Sequence, residues 1–201
     1  MENQVAEFFF CVLDHANVTR TRWVPVGWTK PQSLWTKLNT DGSALGSPGL
    51  AGGGGIIGDC RGEWISVFAR SIGFTTNFAA EFWALRDGLR LCQSLGINAV
   101  EVEVDASSVV SLMANAADTN TEFAPLVDDC RDLLKRIPQA RIKHCYREGN
   151  KCADRLARLG TYLEANFVVF ATPPSVIAPL LILDKLGFTQ ERVCNEVGFP
   201  T

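Results

Sequence analysis

The chain has 201 residues, of which 47% are hydrophobic and 20% are charged, with a net charge of −3 and a pI near 5.4. The length fits one domain of ordinary size with tails, and the hydrophobic fraction is sufficient for a packed core. The overall charge excludes a uniformly basic nucleic-acid-binding protein, so a nucleic-acid partner would need a localised site.

Residues 1–33 are predicted to form a linker or a partly ordered arm. They contain Pro25 and Pro31 and show no sustained hydrophobic period. The apolar run from Phe8 to Leu13 is short and follows acidic rather than basic residues, so we expect no signal peptide.

Three strands are predicted next. Residues 34–40 form the first, and Asp41-Gly42-Ser43 is expected to end it in a turn. The glycine-rich stretch from Gly49 to Gly58 lacks a following GK[ST], which favours a second strand in close backbone contact over a phosphate-binding loop. Residues 63–72 alternate in polarity and predict a third strand. Short connections between these strands indicate an antiparallel meander.

The hydrophobic period then changes to that of a helix. Apolar residues recur every three or four positions from Phe78 to Cys92. Thr76 or Asn77 is expected to cap the start of this helix, and Gly96 is expected to mark its end.

The remaining elements predict the fold class. In chain order they are a strand over 99–105, helices over 107–115 and 122–136, a strand over 140–146 and a helix over 150–164. The order β-β-β-α-β-α-α-β-α predicts an α/β fold with a mixed five-stranded sheet, strands 1–3 antiparallel, and helices packed on it. We expect the domain at 34–164 and a C-terminal tail at 165–201.

Four acidic residues are expected at one edge of this sheet: Asp41, Glu81, Asp105 and Asp154. Strand ends and helix starts converge at such an edge, and ligand sites collect there. Clustered carboxylates repel one another and raise each other's pKa, so they call for a cation. Oxygen ligands suit Mg²⁺, with Mn²⁺ as a substitute, and two such ions can promote phosphodiester hydrolysis.

Each acid also has an ordinary structural explanation. Asp41 could belong to a turn, and Glu81 could interact with the helix dipole. Asp105 could cap the next helix, and Asp154 could form an ion pair with Arg158. The conjunction of four acids with the predicted element order favours the metal site.

These elements and acids together resemble type 1 ribonuclease H domains. Within that family the chain is similar to the plant group related to the ribonuclease H domain of non-LTR retrotransposon polyproteins. The resemblance covers roughly residues 28–162. It is carried by residues 35–43 (WTKLNTDGS), 80–85 (AEFWAL), 102–106 (VEVDA) and 147–157 (REGNKCADRLA).

The resemblance implies an endonuclease that hydrolyses the RNA strand of RNA–DNA hybrids by a two-metal-ion mechanism. The four acids would be both its catalytic and its metal-binding residues, with Mg²⁺ as cofactor. Hybrids are distinguished by the 2′-hydroxyls of one strand, which small polar groups can recognise. The implied nucleic-acid-binding residues are Gly42, Ser43, Thr76, Asn77, Arg147 and Asn150.

The loop before the last acid departs from the family. Many members carry a histidine there, but in this chain the loop, residues 146–150, has none. His15 and His144 lie elsewhere, and His144 is predicted within a strand. Arg147 or Glu148 could take the place of the missing side chain, and we expect modest turnover.

The basic residues are unevenly distributed. Residues 131–158 hold nine of the 19 Lys and Arg and only three acids. This segment could be a phosphate-binding face or an ordinary solvated surface.

Other functions of the domain stay open. It could be a catalytically weak or inactive nucleic-acid-binding module derived from a retroelement, or another nuclease or transposase on the same fold. The seven cysteines are scattered singly without CxxC spacing, which indicates reduced thiols in an intracellular protein, in the nucleus or cytoplasm. We expect a monomer without a membrane anchor, and whether the tails bind a protein partner is left open.

Overall fold

A computed structural model of the chain describes residues 21–115 and 122–195. The apolar run at 8–13 and His15 lie outside these residues. Residues 26–189 form one compact unit. β1 (Thr21–Val26) and β8 (Gln190–Asn195) form a two-stranded sheet, and all of this sheet except Val26 belongs to a second unit.

The compact unit at 26–189 contains the elements that position the site. They are β2 (Thr36–Gly46), β3 (Gly49–Gly58), β4 (Trp64–Thr75), α1 (Asn77–Ser94), β5 (Ala99–Val104), α2 (Ser107–Ala114), α3 (Ala124–Lys135), β6 (Gln139–His144), α4 (Lys151–Gly160), β7 (Phe167–Val169) and α5 (Ala178–Leu186). A 3₁₀ turn, Arg147–Gly149, precedes α4. From β2 to α4 the predicted order is present, which confirms the α/β fold with helices packed on a mixed sheet.

The main sheet has six strands in the order β6-β5-β2-β3-β4-β7. Neighbouring strands are antiparallel from β2 through β3 and β4 to β7, whereas β5 lies parallel to both β2 and β6. The sheet therefore has one strand more than the five expected. The additional strand is β7, from the segment expected to be a tail, and its three residues are too few to show a hydrophobic period.

The turn expected at Asp41-Gly42-Ser43 is wrong, because β2 continues through these residues to Gly46. Gly42 instead lies at a close contact between β2 and α1. A Cβ atom at Gly42 would lie 2.2 Å from the backbone nitrogen of Glu81 in α1. Only glycine allows α1 to approach the strand this closely.

The consecutive glycines of β3 allow helices to pack on both faces of the sheet. A Cβ at Gly54 would lie 2.4 Å from the backbone carbonyl carbon of Leu156 in α4. A Cβ at Gly53 would point to the other face, 3.0 Å from the Cβ of Ala84 in α1. The expectation of a strand in close backbone contact is confirmed here.

The core formed by the described residues consists of two clusters. The larger includes buried residues of the central strands together with α1, α2 and α3. The smaller includes Ile56, Val67, Leu156 and Ile177. Within residues 21–115 and 122–195, none of the helices has the length and apolarity needed to cross a lipid bilayer.

Helix α1 begins and ends where the sequence indicates. The hydroxyl of Thr76 accepts a hydrogen bond of 3.2 Å from the backbone N–H of Ala79, so Thr76 is the N-cap. Gly96, just beyond the helix, has a φ of +66°. Glu81 is thereby fixed in the second turn of α1.

Candidate active site

The candidate site lies where two parallel strands stop pairing. β2 and β5 pair from Thr36 and Val100 to Thr40 and Val104. Asp41 and Asp105 are the next residues along the chain in each case, so the end of the pairing brings them side by side.

Glu81 reaches the same point from α1. One carboxylate oxygen each from Asp41, Glu81 and Asp105 lie within 4.8 Å of one another. The backbone N–H of Gly42 donates a hydrogen bond of 3.1 Å to Oε2 of Glu81. The absence of a side chain at Gly42 thus allows α1 to approach, and its amide orients the Glu81 carboxylate.

The close approach of these carboxylates changes their pKa values. Burial, followed by the charges of Glu81, Asp105 and Asp154, raises the pKa of Asp41 to about 9. Burial and the charge of Asp105 raise the pKa of Glu81 to about 8, although the Gly42 amide and Arg147 act in the opposite direction. The cluster therefore favours bound protons or a bound cation. Its hard oxygen donors suit Mg²⁺ or Mn²⁺.

Asp154 lines the same cleft but stands outside the group of three carboxylates. It lies in the first turn of α4, where Nη2 of Arg158 is 3.0 Å from its Oδ1. The ion pair considered from the sequence is therefore present. Asp154 nevertheless lies close enough to Asp41 for its charge to raise the pKa of that carboxyl.

Only some of the residues expected to contact nucleic acid line the cleft that holds the acids. The cleft is lined by Asp41, Gly42, Ser43, Asn77, Glu81, Asp105, Arg147, Asp154 and Arg158. Thr76 is absent from this lining, and its hydroxyl caps α1. The side chain of Arg147 is 89% exposed, with its Nε 3.6 Å from Oδ2 of Asp105.

Asn150 is a correction to the expected contacts, because its side chain is not available to a nucleic acid. The residue is only 1% exposed. Its amide is hydrogen-bonded to the backbone carbonyl of Thr40 and to the side chain of Asn39. Arg158, by contrast, was not among the expected contacts although it lines the cleft. Its position four residues after Asp154 on the same helix could have indicated that Arg158 lies near the acids.

The basic segment at 131–158 does not form one face. Arg131 is buried and donates hydrogen bonds to the carbonyls of Leu112 and Asn115. Arg141 and Lys143 form ion pairs with Glu101 on the adjacent strand β5. Of the nine basic residues, Arg147 and Arg158 line the cleft.

Comparison with known families gives one match that spans this site. The reverse transcriptase-like family matches residues 39–160. The chain belongs to this family. The matched region runs from within β2 to the end of α4 and includes all four acids.

Two curated relatives of this family member are named as ribonucleases H. A putative ribonuclease H protein of Arabidopsis thaliana is 36% identical over 167 residues, which are 83% of this chain and 27% of the plant protein. Ribonuclease HI of Halobacterium salinarum is 30% identical over 118 residues, which are 58% of this chain and 59% of the archaeal protein. The chain thus spans only part of each relative.

Solved structures confirm the fold of this family member. RNase H1 from Halobacterium salinarum superposes with a TM-score of 0.60 at 28% identity, covering 63% of this chain and 96% of that one. LC11-RNase H1, isolated from compost, superposes with a TM-score of 0.58 at 30% identity, covering 63% of this chain and 94% of that one, and it was also solved in complex with an RNA/DNA hybrid. The chain therefore has the ribonuclease H fold.

Proposed function

We propose that this chain hydrolyses the RNA strand of RNA–DNA hybrids with divalent metal ions bound at Asp41, Glu81 and Asp105, and with Asp154 as the fourth acidic ligand. The observation that carries the proposal is the group of three carboxylates within 4.8 Å. The names of the relatives and the hybrid bound to LC11-RNase H1 support the choice of substrate.

The residues of the chain have separable tasks in this proposal. Their raised pKa values favour the protonated forms of Asp41 and Glu81 in the metal-free protein. Binding of a cation displaces these protons, because the metal ligands are the ionised carboxylates. Bound Mg²⁺ or Mn²⁺ would supply an activated water and stabilise the leaving 3′ oxygen. The guanidinium groups of Arg147 and Arg158 line the cleft and offset the negative charge of the phosphate backbone.

Recognition of the hybrid is assigned to small polar groups beside the acids. Ser43 and Asn77 line the cleft together with the Gly42–Glu81 contact. A hydroxyl and an amide can hydrogen-bond to the 2′-hydroxyls that mark the RNA strand. This arrangement favours a hybrid over duplex DNA, which lacks those hydroxyls.

The first test is a cleavage assay with labelled substrates. We expect the protein to cut RNA–DNA hybrid, to leave duplex RNA and duplex DNA uncut, to lose activity in EDTA and to regain it with Mg²⁺ or Mn²⁺. Cleavage of duplex DNA would favour another nuclease of the same fold. Hybrid binding without cleavage would favour a retroelement-derived binding module.

Asp105→Asn should lower hybrid cleavage by about 1000-fold or more, as is typical when a group acting on the reacting atoms is removed. The fold should be retained, and the metal-free protein should melt at a slightly higher temperature because one repelling carboxylate is gone. The matched control is Asp132→Asn, since Asp132 is an exposed residue of α3 whose pairing is with Lys135. Unfolding of Asp105→Asn in a thermal melt would show that Asp105 has a structural role.

Arg147→Ala should weaken hybrid binding and reduce the slope of log affinity against log salt concentration by about one, because one phosphate contact is lost. The measurement is fluorescence anisotropy with a labelled hybrid in Ca²⁺ at several salt concentrations. Arg155→Ala is the control, because Arg155 is an exposed residue of α4 outside the cleft lining. Equal salt slopes for Arg147→Ala and the unmodified protein would remove Arg147 from the binding surface.

A further inference from the structure

Asn150 links the strand that carries Asp41 to the helix that carries Asp154. Its Nδ2 donates a hydrogen bond of 3.0 Å to the backbone carbonyl of Thr40, the residue before Asp41. Its own backbone carbonyl accepts a hydrogen bond of 3.0 Å from the N–H of Asp154. One buried residue is thus bonded to the backbone on both sides of the acidic cleft.

A buried network holds the Asn150 amide in this orientation. Oδ1 of Asn150 accepts a hydrogen bond of 3.1 Å from Nδ2 of Asn39. Asn39 also donates to Oε2 of Glu103 at 3.2 Å and accepts from Nε1 of Trp28 at 2.9 Å. Lys37 completes the network with a bond of 2.6 Å to the other oxygen of Glu103. A satisfied network of this kind rigidifies the groups that it connects.

The three remaining acids are held by other contacts as well. Glu81 is held by the amide of Gly42, and Asp41 and Asp105 follow the last paired residues of β2 and β5. Asp154 reaches the cleft only through the start of α4, where Asn150 precedes the helix. A change at Asn150 should therefore move Asp154 relative to a fixed group of three carboxylates.

We infer that Asn150 is a positioning residue that sets the separation between Asp154 and Asp41, and hence the geometry of the fourth metal ligand. The inference rests on the proposed function. Asn150 does not touch the substrate, because it is buried and its amide is occupied on both sides. It acts through the start of α4, as residues behind metal ligands commonly do.

The test compares three variants of the full chain. Asn150→Ala removes both side-chain bonds, and Asn150→Leu keeps the branched shape but offers neither a donor to Thr40 nor an acceptor to Asn39. Gln93→Ala is the matched control, because Nε2 of Gln93 donates a hydrogen bond of 3.0 Å to the carbonyl of Leu133 and joins α1 to α3 away from the cleft. Each protein is measured for Mn²⁺ affinity by calorimetry without nucleic acid, for kcat and KM on a hybrid, and for Tm.

Both Asn150 variants should lose about 10- to 100-fold in Mn²⁺ affinity, the usual range for a group behind a metal ligand. Their kcat should fall by a similar factor while KM changes less than about threefold, since contacts made in the ground state remain. Gln93→Ala should lower Tm without changing Mn²⁺ affinity.

The Mn²⁺ measurement separates this inference from the proposed function. If the unmodified protein binds Mn²⁺ but does not cut hybrids, the proposed function fails while the affinity comparison still tests Asn150. Unchanged Mn²⁺ affinity in both Asn150 variants would overturn the inference. So would an equal loss of affinity in Gln93→Ala, because the effect would then follow from stability alone.

Discussion

Asp41→Asn should raise the melting temperature of the metal-free protein at pH 7.5 while abolishing hybrid cleavage. Asp41 is buried against Glu81 and Asp105, and these surroundings raise its pKa to about 9. Asparagine has nearly the same shape and carries no ionisable proton. The variant therefore keeps the packing but loses a metal ligand. It also avoids the free-energy cost of keeping the Asp41 carboxyl protonated in the folded protein at pH 7.5.

The raised pKa of Asp41 also determines how the stability of the metal-free protein changes with pH. In the unfolded chain Asp41 has the ordinary aspartate pKa of 3.8, and in the folded protein its pKa is about 9. The stability associated with this group is fully present below pH 3.8 and is lost as the pH rises toward about 9, because the unfolded chain releases the proton first. Glu81, with a pKa of about 8, acts in the same direction. The metal-free protein should therefore melt at a lower temperature at pH 8 than at pH 5.

The expected gain for Asp41→Asn at pH 7.5 is on the order of 2–4 kcal/mol, which corresponds to roughly 5–12 °C in Tm. Mg²⁺ should raise the Tm of the unmodified protein but have little effect on the variant. Scanning calorimetry from pH 5 to pH 8, with EDTA or Mg²⁺, measures both effects. Asp132→Asn serves again as the exposed control. If Asp41→Asn melts at a lower temperature than the unmodified protein in EDTA, repulsion between Asp41 and its neighbouring carboxylates does not destabilise the metal-free protein.

The positions of the acids could be predicted because local patterns place them. Alternation of valines and acids put Asp105 at the end of a strand, and the three- to four-residue period put Glu81 near the start of a helix. Chain order then brought the elements to one sheet edge. The separation of Asp154 from the other three could not be predicted, since it depends on how α4 packs against β2 and β3.

Two errors share a physical origin in long-range contacts. The pair Asp41-Gly42 has the local signature of a turn, and the contact of Gly42 with the backbone of Glu81 becomes visible only in the folded chain. Asn150, at the start of the helix predicted over 150–164, is expected to contact nucleic acid, but Trp28 and Asn39, both distant in sequence, bury it in a network. Residue type and spacing carry no information on such partners.

Gly54→Ala should destabilise the protein by about 3 kcal/mol or more, and Gly54→Val should prevent folding. The added Cβ of alanine would lie 2.4 Å from the backbone carbon of Leu156 and 2.5 Å from the backbone nitrogen of Ala157. These atoms belong to the helix backbone, so no side-chain rotation can relieve the contact. The smaller entropy of an unfolded chain with alanine offsets only about 0.4–1 kcal/mol.

The same substitution should also impair the site. Gly54 is the cross-strand partner of Asp41, and the α4 backbone that it contacts begins just beyond Asp154. An alanine therefore has to push α4 away from β3, which moves Asp154 relative to Asp41. Urea unfolding measures the stability loss, and Leu50→Ala on the same strand, at a residue that is 57% exposed, should change it by no more than about 0.5 kcal/mol. A Gly54→Ala protein as stable as the unmodified one would mean that α4 does not pack directly on β3. The packing of α4 on β3 would then no longer explain why Asp154 lies in the acidic cleft.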